Sequence, residues 1–246
     1  MMNNIIEIYD NYTKLGILTR KNTQGKEFEL VKEFIEHRKK CFLPTDNNKL
    51  AIFVEPKVNN SYPDIVFVEY NPENFENWQN SRSELGLSDF KILYHIYISK
   101  LIDSTSIVSQ LGVTWKDAML SIEKLLDTKL ISRKNVGWCI KNKESIAVTK
   151  IEAVEAKINK VEEVFQQALI NKNFASESYI LSELTSKPQE AKLEKLNHFG
   201  IGVYMKKENE FQVINNSKKS SIPVSFNSIY FNEWIGRILF SKGRND

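Results

Sequence analysis

The sequence is poor in the residues that build disulfide frameworks and zinc sites. Its 246 residues include two cysteines, Cys41 and Cys139, which stand far apart, and three scattered histidines. Neither a disulfide-stabilised domain nor a Cys/His zinc site is therefore indicated. Long apolar runs are also missing, since no stretch approaches the roughly 20 residues that span a bilayer. The segment MMNNIIEIYD lacks the basic and apolar regions of a signal peptide. We therefore expect a soluble cytoplasmic protein with no membrane partner.

The sequence also lacks a large excess of charge of one sign. The 34 Lys and Arg residues nearly balance the 31 Asp and Glu residues, and the net charge of +3 is too small to identify a nucleic-acid or membrane partner. What the sequence does have is apolar material: 41% of the residues are hydrophobic, including 14 Phe and 9 Tyr. Such a chain can bury a sizeable core, as one large domain or two small ones.

The first 80 residues read as a helix followed by two strands. Residues 26–40 have apolar side chains at helical spacing after Gly25, which predicts an amphipathic helix. Two short apolar segments, 50–55 and 62–70, are separated by turn residues and predict a β-hairpin. The polar, aperiodic stretch 71–81 then indicates a connection between two units.

The middle of the chain has a different pattern. It predicts helices over residues 88–100, 104–111 and 114–128, with Gly112 supplying the tight turn before the third helix. Residues 130–141 then read as two short strands around a turn. This succession resembles a winged helix-turn-helix, and we place it at residues 81–143.

Strands and helices alternate in the rest of the chain, which is typical of an α/β fold. The pattern predicts, in order, a strand at 147–158, a helix at 160–172, a strand at 178–184, a helix at 189–198, a hairpin formed by IGVYMKK and EFQVIN, and a last helix over FNSIYFNEWIGRILFSK.

Three charged residues from separate segments form one candidate constellation. Asp64 follows Pro63 at the start of a strand, while Glu155 and Lys157 end another. Side chains alternate along a strand, so Glu155 and Lys157 are expected on one face. If the two strands are neighbours, the two carboxylates converge on a point where Mg²⁺ or Mn²⁺ can bind.

With these residues in this order, the chain resembles the PD-(D/E)XK nuclease superfamily over most of residues 26–215. The resemblance implies an α/β, restriction endonuclease-like core, a central mixed β-sheet flanked by helices. It also implies that Asp64 and Glu155 bind Mg²⁺ or Mn²⁺ and that Lys157 orients or deprotonates the attacking water.

Further members of the site follow from the same resemblance. A glutamate of the first helix often completes the acidic set, and both Glu27 and Glu29 are candidates, of which we prefer Glu27. A polar residue of the helix after Glu-x-Lys is common too, and Gln167 fits better than Gln166. The long gap between Asp64 and Glu155 departs from the family pattern. We explain it by insertion of the winged helix, so that residues 1–80 and 144–246 form one discontinuous nuclease-like domain.

In the winged-helix unit, the third predicted helix and the wing are the candidates for nucleic-acid contact. We expect the DNA contacts, with Ser121 as a further candidate in the third helix, at Thr114, Trp115, Lys116, Lys124, Arg133 and Lys134. Such units also dock proteins, and Trp115 and Trp138 suit either a core or a contact.

The combined prediction is a metal-dependent DNA endonuclease, with duplex favoured over single-stranded DNA and restriction or anti-phage defence as its setting. Ordinary explanations stay open: a charge pair on an exposed strand for Glu155 and Lys157, and an Asx turn for Asp64. The alternative functions are an inactive nuclease-like module for DNA binding or subunit assembly, and a winged-helix transcription regulator. A homodimer or another protein partner is also open.

Overall fold

The computed structural model describes residues 5–20, 24–158, 164–183, 189–208 and 210–242. Its strands are β1 (Ile5–Ile8), β2 (Lys49–Val54), β3 (Ile65–Tyr70), β4 (Ile131–Lys134), β5 (Gly137–Ile140), β6 (Val148–Lys157), β7 (Glu177–Ser182), β8 (Gly202–Lys207) and β9 (Glu210–Asn215). Its α-helices are α1 (Lys26–Cys41), α2 (Leu87–Ser99), α3 (Ser104–Leu111), α4 (Trp115–Asp127), α5 (Phe165–Asn171), α6 (Glu190–His198) and α7 (Phe226–Lys242).

The chain divides into two compact units, and both are discontinuous in sequence. The first unit contains residues 1–71 and 148–224, and the second contains residues 72–147 and 225–246. The first segment of the second unit, residues 72–147, thus begins and ends close to the expected insertion 81–143. The expectation that residues 144–246 all belong to the first domain is wrong, because α7 lies in the second unit. Ile229 of α7 is fully buried in the same apolar cluster as Phe90 and Ile96 of α2, which explains this placement.

The first unit is built on a mixed sheet with strand order β1-β2-β3-β6-β7-β8-β9. The β2–β3, β3–β6 and β8–β9 pairs are antiparallel, while β1–β2, β6–β7 and β7–β8 are parallel. Strands β3 and β6 are neighbours although the whole of residues 72–147 separates them in sequence. An α/β architecture with a central mixed sheet is therefore present.

The strands of this sheet carry apolar side chains on both faces, and helices therefore cover both faces. Leu30, Val31, Phe34 and Ile35 of α1 pack with strand residues such as Val154 on one face. Phe165 and Ala168 of α5 and Leu196 of α6 pack with Ile180 and Val203 on the other. The helix predicted at 26–40 is confirmed. The strand predicted from residue 62 begins later, at Ile65, after Pro63 and Asp64. Parts of the predictions for 160–172 and 178–184, namely 160–163 and 184, lie outside the described residues.

In the second unit, helices α2, α3, α4 and α7 and a small hairpin surround one apolar core. Helices α2, α3 and α4 lie close to the predicted ranges, and β4 pairs with β5 in an antiparallel hairpin. Ile102, between α2 and α3, forms a β-bridge to Trp138 of β5. The core contains Phe90, Ile107 and Leu125 together with residues of the hairpin and of α7. The secondary structure predicted for residues 88–141 is therefore confirmed.

In the described part of the chain, every helix is too short or too polar to cross a lipid bilayer.

Candidate functional site

Antiparallel pairing of β3 with β6 brings Asp64 and Glu155 together. Ile65 lies opposite Val154, so Asp64, one residue before β3, stands at the level of Glu155. The main-chain N–H of Ala156 donates a hydrogen bond of 2.7 Å to Asp64 Oδ2, which holds this carboxylate against β6. The expected convergence of the two acidic residues is thus a feature of the sheet register.

Glu155 is a buried carboxylate next to another negative charge. Only 3% of the residue is exposed. Burial raises the pKa of the Glu155 carboxyl above its usual value, and the charge of Asp64 raises it further. The side-chain amide of Asn171 opposes this shift because Nδ2 donates a hydrogen bond of 2.7 Å to Glu155 Oε1. The site therefore concentrates negative charge where little water is present to stabilise it.

The carboxyl group of Asp64 has a raised pKa as well. Loss of solvent is the largest cause, and the hydrogen bond from Ala156 N–H acts in the opposite direction. Among the charges nearby, Glu55 and Glu27 raise the pKa of Asp64, while Arg20 lowers it. Arg20 lowers the pKa of Glu155 too, so this cation acts on both carboxylates.

Lys157, the last residue of β6, forms an ion pair with the first turn of α1. Its Nζ lies 2.9 Å from Oε1 of Glu27, and the side chains are 28% and 46% exposed. Of the two candidates on α1, Glu27 is therefore the one in contact with Lys157, whereas Glu29 lines a neighbouring cleft. The ammonium group lies at the end of the strand that carries Glu155.

Helix α5 presents a different polar residue from the one expected. Gln167 is exposed, and within the described ranges it forms no hydrogen bond with either carboxylate. Asn171, one turn later, is fully buried and donates to Glu155. Its Oδ1 is buried without a hydrogen-bond partner in the described part of the chain. The sequence analysis missed Asn171, although a signal was present: it is polar at a position that continues the buried stripe of Phe165 and Ala168.

Glu55 and Arg20 were also missed. Glu55 is 4% exposed, has a positive φ of 46°, and its main-chain N–H donates to the carbonyl oxygen of Asp64. A non-glycine residue held in the left-handed region next to a charged cluster is a form of strain found at functional sites. Arg20 Nη1 lies 3.6 Å from Glu55 Oε1. Their sequence neighbourhoods offered no motif that would have identified them.

A cleft of about 760 Å³ lies beside this cluster. Arg20 and Glu55 form part of its wall, and the other residues that line it are Tyr9, Asp10, Gln24, Gly25, Phe28, Glu29, Lys32 and Val54. Its size is within the range of small-molecule binding sites, and its lining combines charged groups of both signs with aromatic rings.

The donors at the site match a hard divalent cation in part. Over residues 5–20, 24–158, 164–183, 189–208 and 210–242, no three His, Cys, Asp or Glu side chains converge closely enough to form a metal cage. Mg²⁺, however, is commonly held by one or two carboxylates and completes its shell with water and substrate phosphate. Asp64 and Glu155 supply two such carboxylates, and the Asn171 amide is directed at Glu155 through its Nδ2 group. The residues therefore fit Mg²⁺ or Mn²⁺.

In the second unit, the expected nucleic-acid-binding residues are mostly exposed. Thr114 caps α4 by accepting from the N–H of Asp117 at 3.1 Å, and Trp115 is 53% exposed. Lys116, Arg133 and Lys134 are exposed, and the Arg133 guanidinium lies 5.8 Å from the Trp138 ring.

Other residues of that unit are committed to structure. Lys124 is 52% exposed but lies 3.7 Å from Asp89. Ser121, a candidate for contact with the groove, is buried, and its hydroxyl donates to Asp89 at 2.6 Å, so this expectation is wrong. Trp138 packs against the core and donates to the Ser104 hydroxyl at 2.8 Å, whereas Trp115 remains at the surface.

Comparisons with known proteins assign no family to the chain. No family model matches it, and no curated protein does. Among solved structures, the crystal structure of protein VC1899 from Vibrio cholerae is similar at 10% identity, covering 86% of this chain and 74% of that one. The TM-score of 0.24 is too low to support an argument about fold or function.

Proposed function

We propose that the protein is a metal-dependent nuclease that hydrolyses phosphodiester bonds in DNA. The observation that supports this most directly is the pair of enclosed carboxylates, Asp64 and Glu155, on neighbouring strands. Placing two negative charges together out of water destabilises both ionised forms, and a bound divalent cation relieves that repulsion. In this proposal, the chain shares with PD-(D/E)XK nucleases the chemistry as well as the arrangement of these residues.

The chain supplies the groups that hydrolysis of a phosphodiester needs. When bound, Mg²⁺ or Mn²⁺ neutralises charge on the phosphate and makes water a better nucleophile. In the proposed reaction, the water oxygen bonds to phosphorus as the ester P–O bond breaks. The water loses one proton and the departing oxygen takes one up, so a phosphate monoester and a free hydroxyl result. Asp64 and Glu155 would hold the cation, and the Lys157 ammonium would orient the attacking water.

Two further residues support these groups in the proposal. Glu27, 2.9 Å from Lys157, fixes the position of the ammonium. Asn171 keeps Glu155 oriented and favours its ionised form through the 2.7 Å hydrogen bond. Both act through another residue, so they are positioning residues rather than catalytic ones.

In the proposed function, the second unit binds DNA as a module of winged-helix type. Its helices α2–α4, the β4–β5 hairpin and the Ile102–Trp138 bridge are in the order of that motif. Lys116 and Trp115 on α4, with Arg133 and Lys134 on the hairpin, are proposed to contact phosphates and groove edges.

The test is cleavage of supercoiled plasmid, linear duplex and single-stranded DNA in Mg²⁺, Mn²⁺ or EDTA. Asp64→Asn and Glu155→Gln keep the side-chain shapes and should each lower the cleavage rate at least about a hundredfold, because each removes one charged ligand. Binding of Mn²⁺, measured by calorimetry, should weaken in both variants.

The chain offers a matched control for Lys157. Lys206 of β8 also pairs with a glutamate of α1, at 2.7 Å from Glu33. Lys157→Met should abolish cleavage and Lys206→Met should not. Equal activity of these two variants would overturn the assigned role of Lys157. A protein with no metal-dependent cleavage and no Mn²⁺ binding would instead be an inactive module for DNA binding or assembly.

A further inference from the structure

The cleft beside the carboxylate pair contains an unusual combination of groups. Its wall holds two aromatic rings, Tyr9 and Phe28, and two cations, Arg20 and Lys32. The lining also includes three carboxylates, those of Asp10, Glu29 and Glu55, and the last of these is paired with Arg20. Tyr9 is 41% exposed and Phe28 is partly buried. Rings and cations together suit a ligand that has both a planar apolar part and a phosphate.

Arg20 is held in place with much of its guanidinium exposed. The group lies 3.6 Å from the Glu55 carboxylate and 5.1 Å from the centre of the Tyr62 ring, while the side chain is 49% exposed. Guanidinium has five N–H donors in a rigid plane. Glu55 and Tyr62 restrain that plane and leave N–H groups available to a phosphate.

Arg20 also links the cleft to the candidate catalytic centre. Its charge stabilises the ionised forms of both Asp64 and Glu155, and its partner Glu55 donates a main-chain hydrogen bond to the Asp64 carbonyl. Phe28, another lining residue, directly follows Glu27, the partner of Lys157. A strand with its phosphate at the carboxylates would therefore continue into this cleft.

Resting on the proposed nuclease function, we infer that the cleft receives an unpaired nucleotide of the substrate strand, with its base against Phe28 and its phosphate on Arg20. The volume of about 760 Å³ is large enough for a nucleotide. A base that stacks on the Phe28 ring has left the base stack of a duplex, so the nucleotide in the cleft is unpaired. The substrate at this site is then a single strand, or a duplex with an unpaired end, in contrast to the duplex that the sequence suggested.

The experiment measures DNA binding separately from cleavage. Fluorescence anisotropy of a labelled oligothymidylate of about 12 nucleotides is recorded with the full chain in EDTA, where a metal-dependent reaction does not proceed. Phe28→Leu keeps the apolar packing of this side chain and removes its ring. Phe42→Leu is the matched control, since Phe42 packs partly buried against the same core cluster but does not line the cleft. Arg20→Met is compared with Lys14→Met, which removes the charge of an exposed lysine outside the cleft.

We expect Phe28→Leu to weaken binding of the single strand at least about fivefold, the loss typical of one stacked base. Arg20→Met should weaken it too and reduce the salt dependence by about one phosphate contact. The wild-type chain should bind the oligothymidylate more tightly than a duplex of equal length. The inference is overturned if the two cleft variants bind as tightly as their controls, or if the chain does not bind the oligothymidylate. Because cleavage is not measured here, a failure of the nuclease proposal is recognised separately.

Discussion

Glu155 has a carboxyl group that the fold places where ionisation is unfavourable. Burial and the neighbouring Asp64 raise its pKa, and the Asn171 amide together with the charge of Arg20 lowers it. These opposing influences mean that the ionised form depends on a few specific contacts. A perturbed carboxyl with a like-charged neighbour is a frequent property of catalytic and metal sites.

Asn171 can be tested through its effect on Glu155. Replacing Asn171 with Leu removes the donor at 2.7 Å, so the pKa of Glu155 should rise further. At neutral pH, Mn²⁺ affinity should fall about tenfold for each unit of that rise and should recover at alkaline pH. Calorimetric titration over a pH series measures both effects.

Gln167→Leu, one turn earlier on α5 and exposed, serves as the control for this prediction. Its Mn²⁺ affinity should be that of the wild type. A larger loss in Gln167→Leu than in Asn171→Leu would show that Gln167, as the sequence suggested, is the supporting residue of this helix.

The same carboxyls predict how stability changes with pH. The pKa of Glu155 is raised to about 8 and that of Asp64 is raised as well, so the folded chain holds these protons more tightly than the unfolded chain. Their contribution to stability is full below the ordinary carboxyl pKa of about 4 and is lost as pH rises toward 8. Melting temperatures in EDTA should therefore fall across this range in the wild type, and less in Glu155→Gln.

Magnesium should reverse this trend, because it binds the ionised carboxylates. The increase in melting temperature on adding Mg²⁺ should grow with pH and should be mostly absent in Asp64→Asn and Glu155→Gln. An increase that is independent of pH, or equal in the variants, would contradict metal binding at this pair.

At the scale of the element, strand β6 carries polar groups with different tasks on its two faces. Glu152 is fully buried on the face covered by α1, where Arg38 lies at 3.2 Å and Lys150 at 2.8 Å, and the Tyr204 hydroxyl donates to it at 3.0 Å. The negative charge of this carboxylate is balanced by these two cations within the fold. Glu155, three residues later, has the Asn171 amide and a second carboxylate as neighbours instead. One strand thus combines a closed ion-pair network with the candidate site.

Helix α4 divides in the same way between a buried and an exposed face. Ala118, Ser121, Ile122 and Leu125 face the core, while Trp115 and Lys116 in its first turn are exposed. The DNA contacts proposed for Trp115 and Lys116 lie on this exposed face.

We predict that substitutions on the two faces of α4 have opposite consequences. Ser121→Ala removes the buried hydrogen bond to Asp89 and should lower the free energy of unfolding by about 1 to 2 kcal/mol without weakening DNA binding. Trp115→Ser and Lys116→Gln should weaken DNA binding and leave the melting temperature nearly unchanged. Thermal unfolding and DNA titration of each variant separate the two effects. If the exposed-face variants bind DNA like the wild type, α4 is instead a surface for docking proteins.

At the scale of the whole molecule, each unit depends on segments that are far apart in sequence. Ile229 of α7 contributes to the core of the second unit, and Glu233 pairs there with Arg82. The N–H of Ala147 donates to the Asn232 side chain at 2.7 Å. The second unit is therefore completed only by the last part of the described chain.

The effect of Ile229→Ala tests this completion. Ile229 is fully buried, so the substitution should destabilise the second unit by about 2 to 5 kcal/mol through lost apolar contact and a residual cavity. Mn²⁺ binding at Asp64 and Glu155, in the first unit, should persist below the melting transition. Hydrogen exchange resolved by residue should show faster exchange in α2 and α7. Faster exchange confined to β7 and β8 would contradict the assignment of α7 to the second unit.

Local patterns along the chain were enough to predict most elements and the candidate acidic pair. The helices near residues 88–128 and the hairpin after them follow from apolar periodicity and turn residues, which act over a few positions. Asp64, Glu155 and Lys157 were found because they occupy strand ends in a recognisable order. Strand adjacency was an assumption there, and the β3–β6 register now supports it.

What those patterns could not reach depends on contacts between distant segments. Apolar periodicity identifies that α7 has a buried face but not which core receives it, since any apolar surface satisfies the same pattern. For the same reason, the choice of Asn171 over Gln167, and the presence of Arg20 and Glu55 beside Asp64, came from the folded chain. Burial and the electric field of neighbouring charges set the state of a carboxyl group, and both exist only when the tertiary structure has brought those neighbours together.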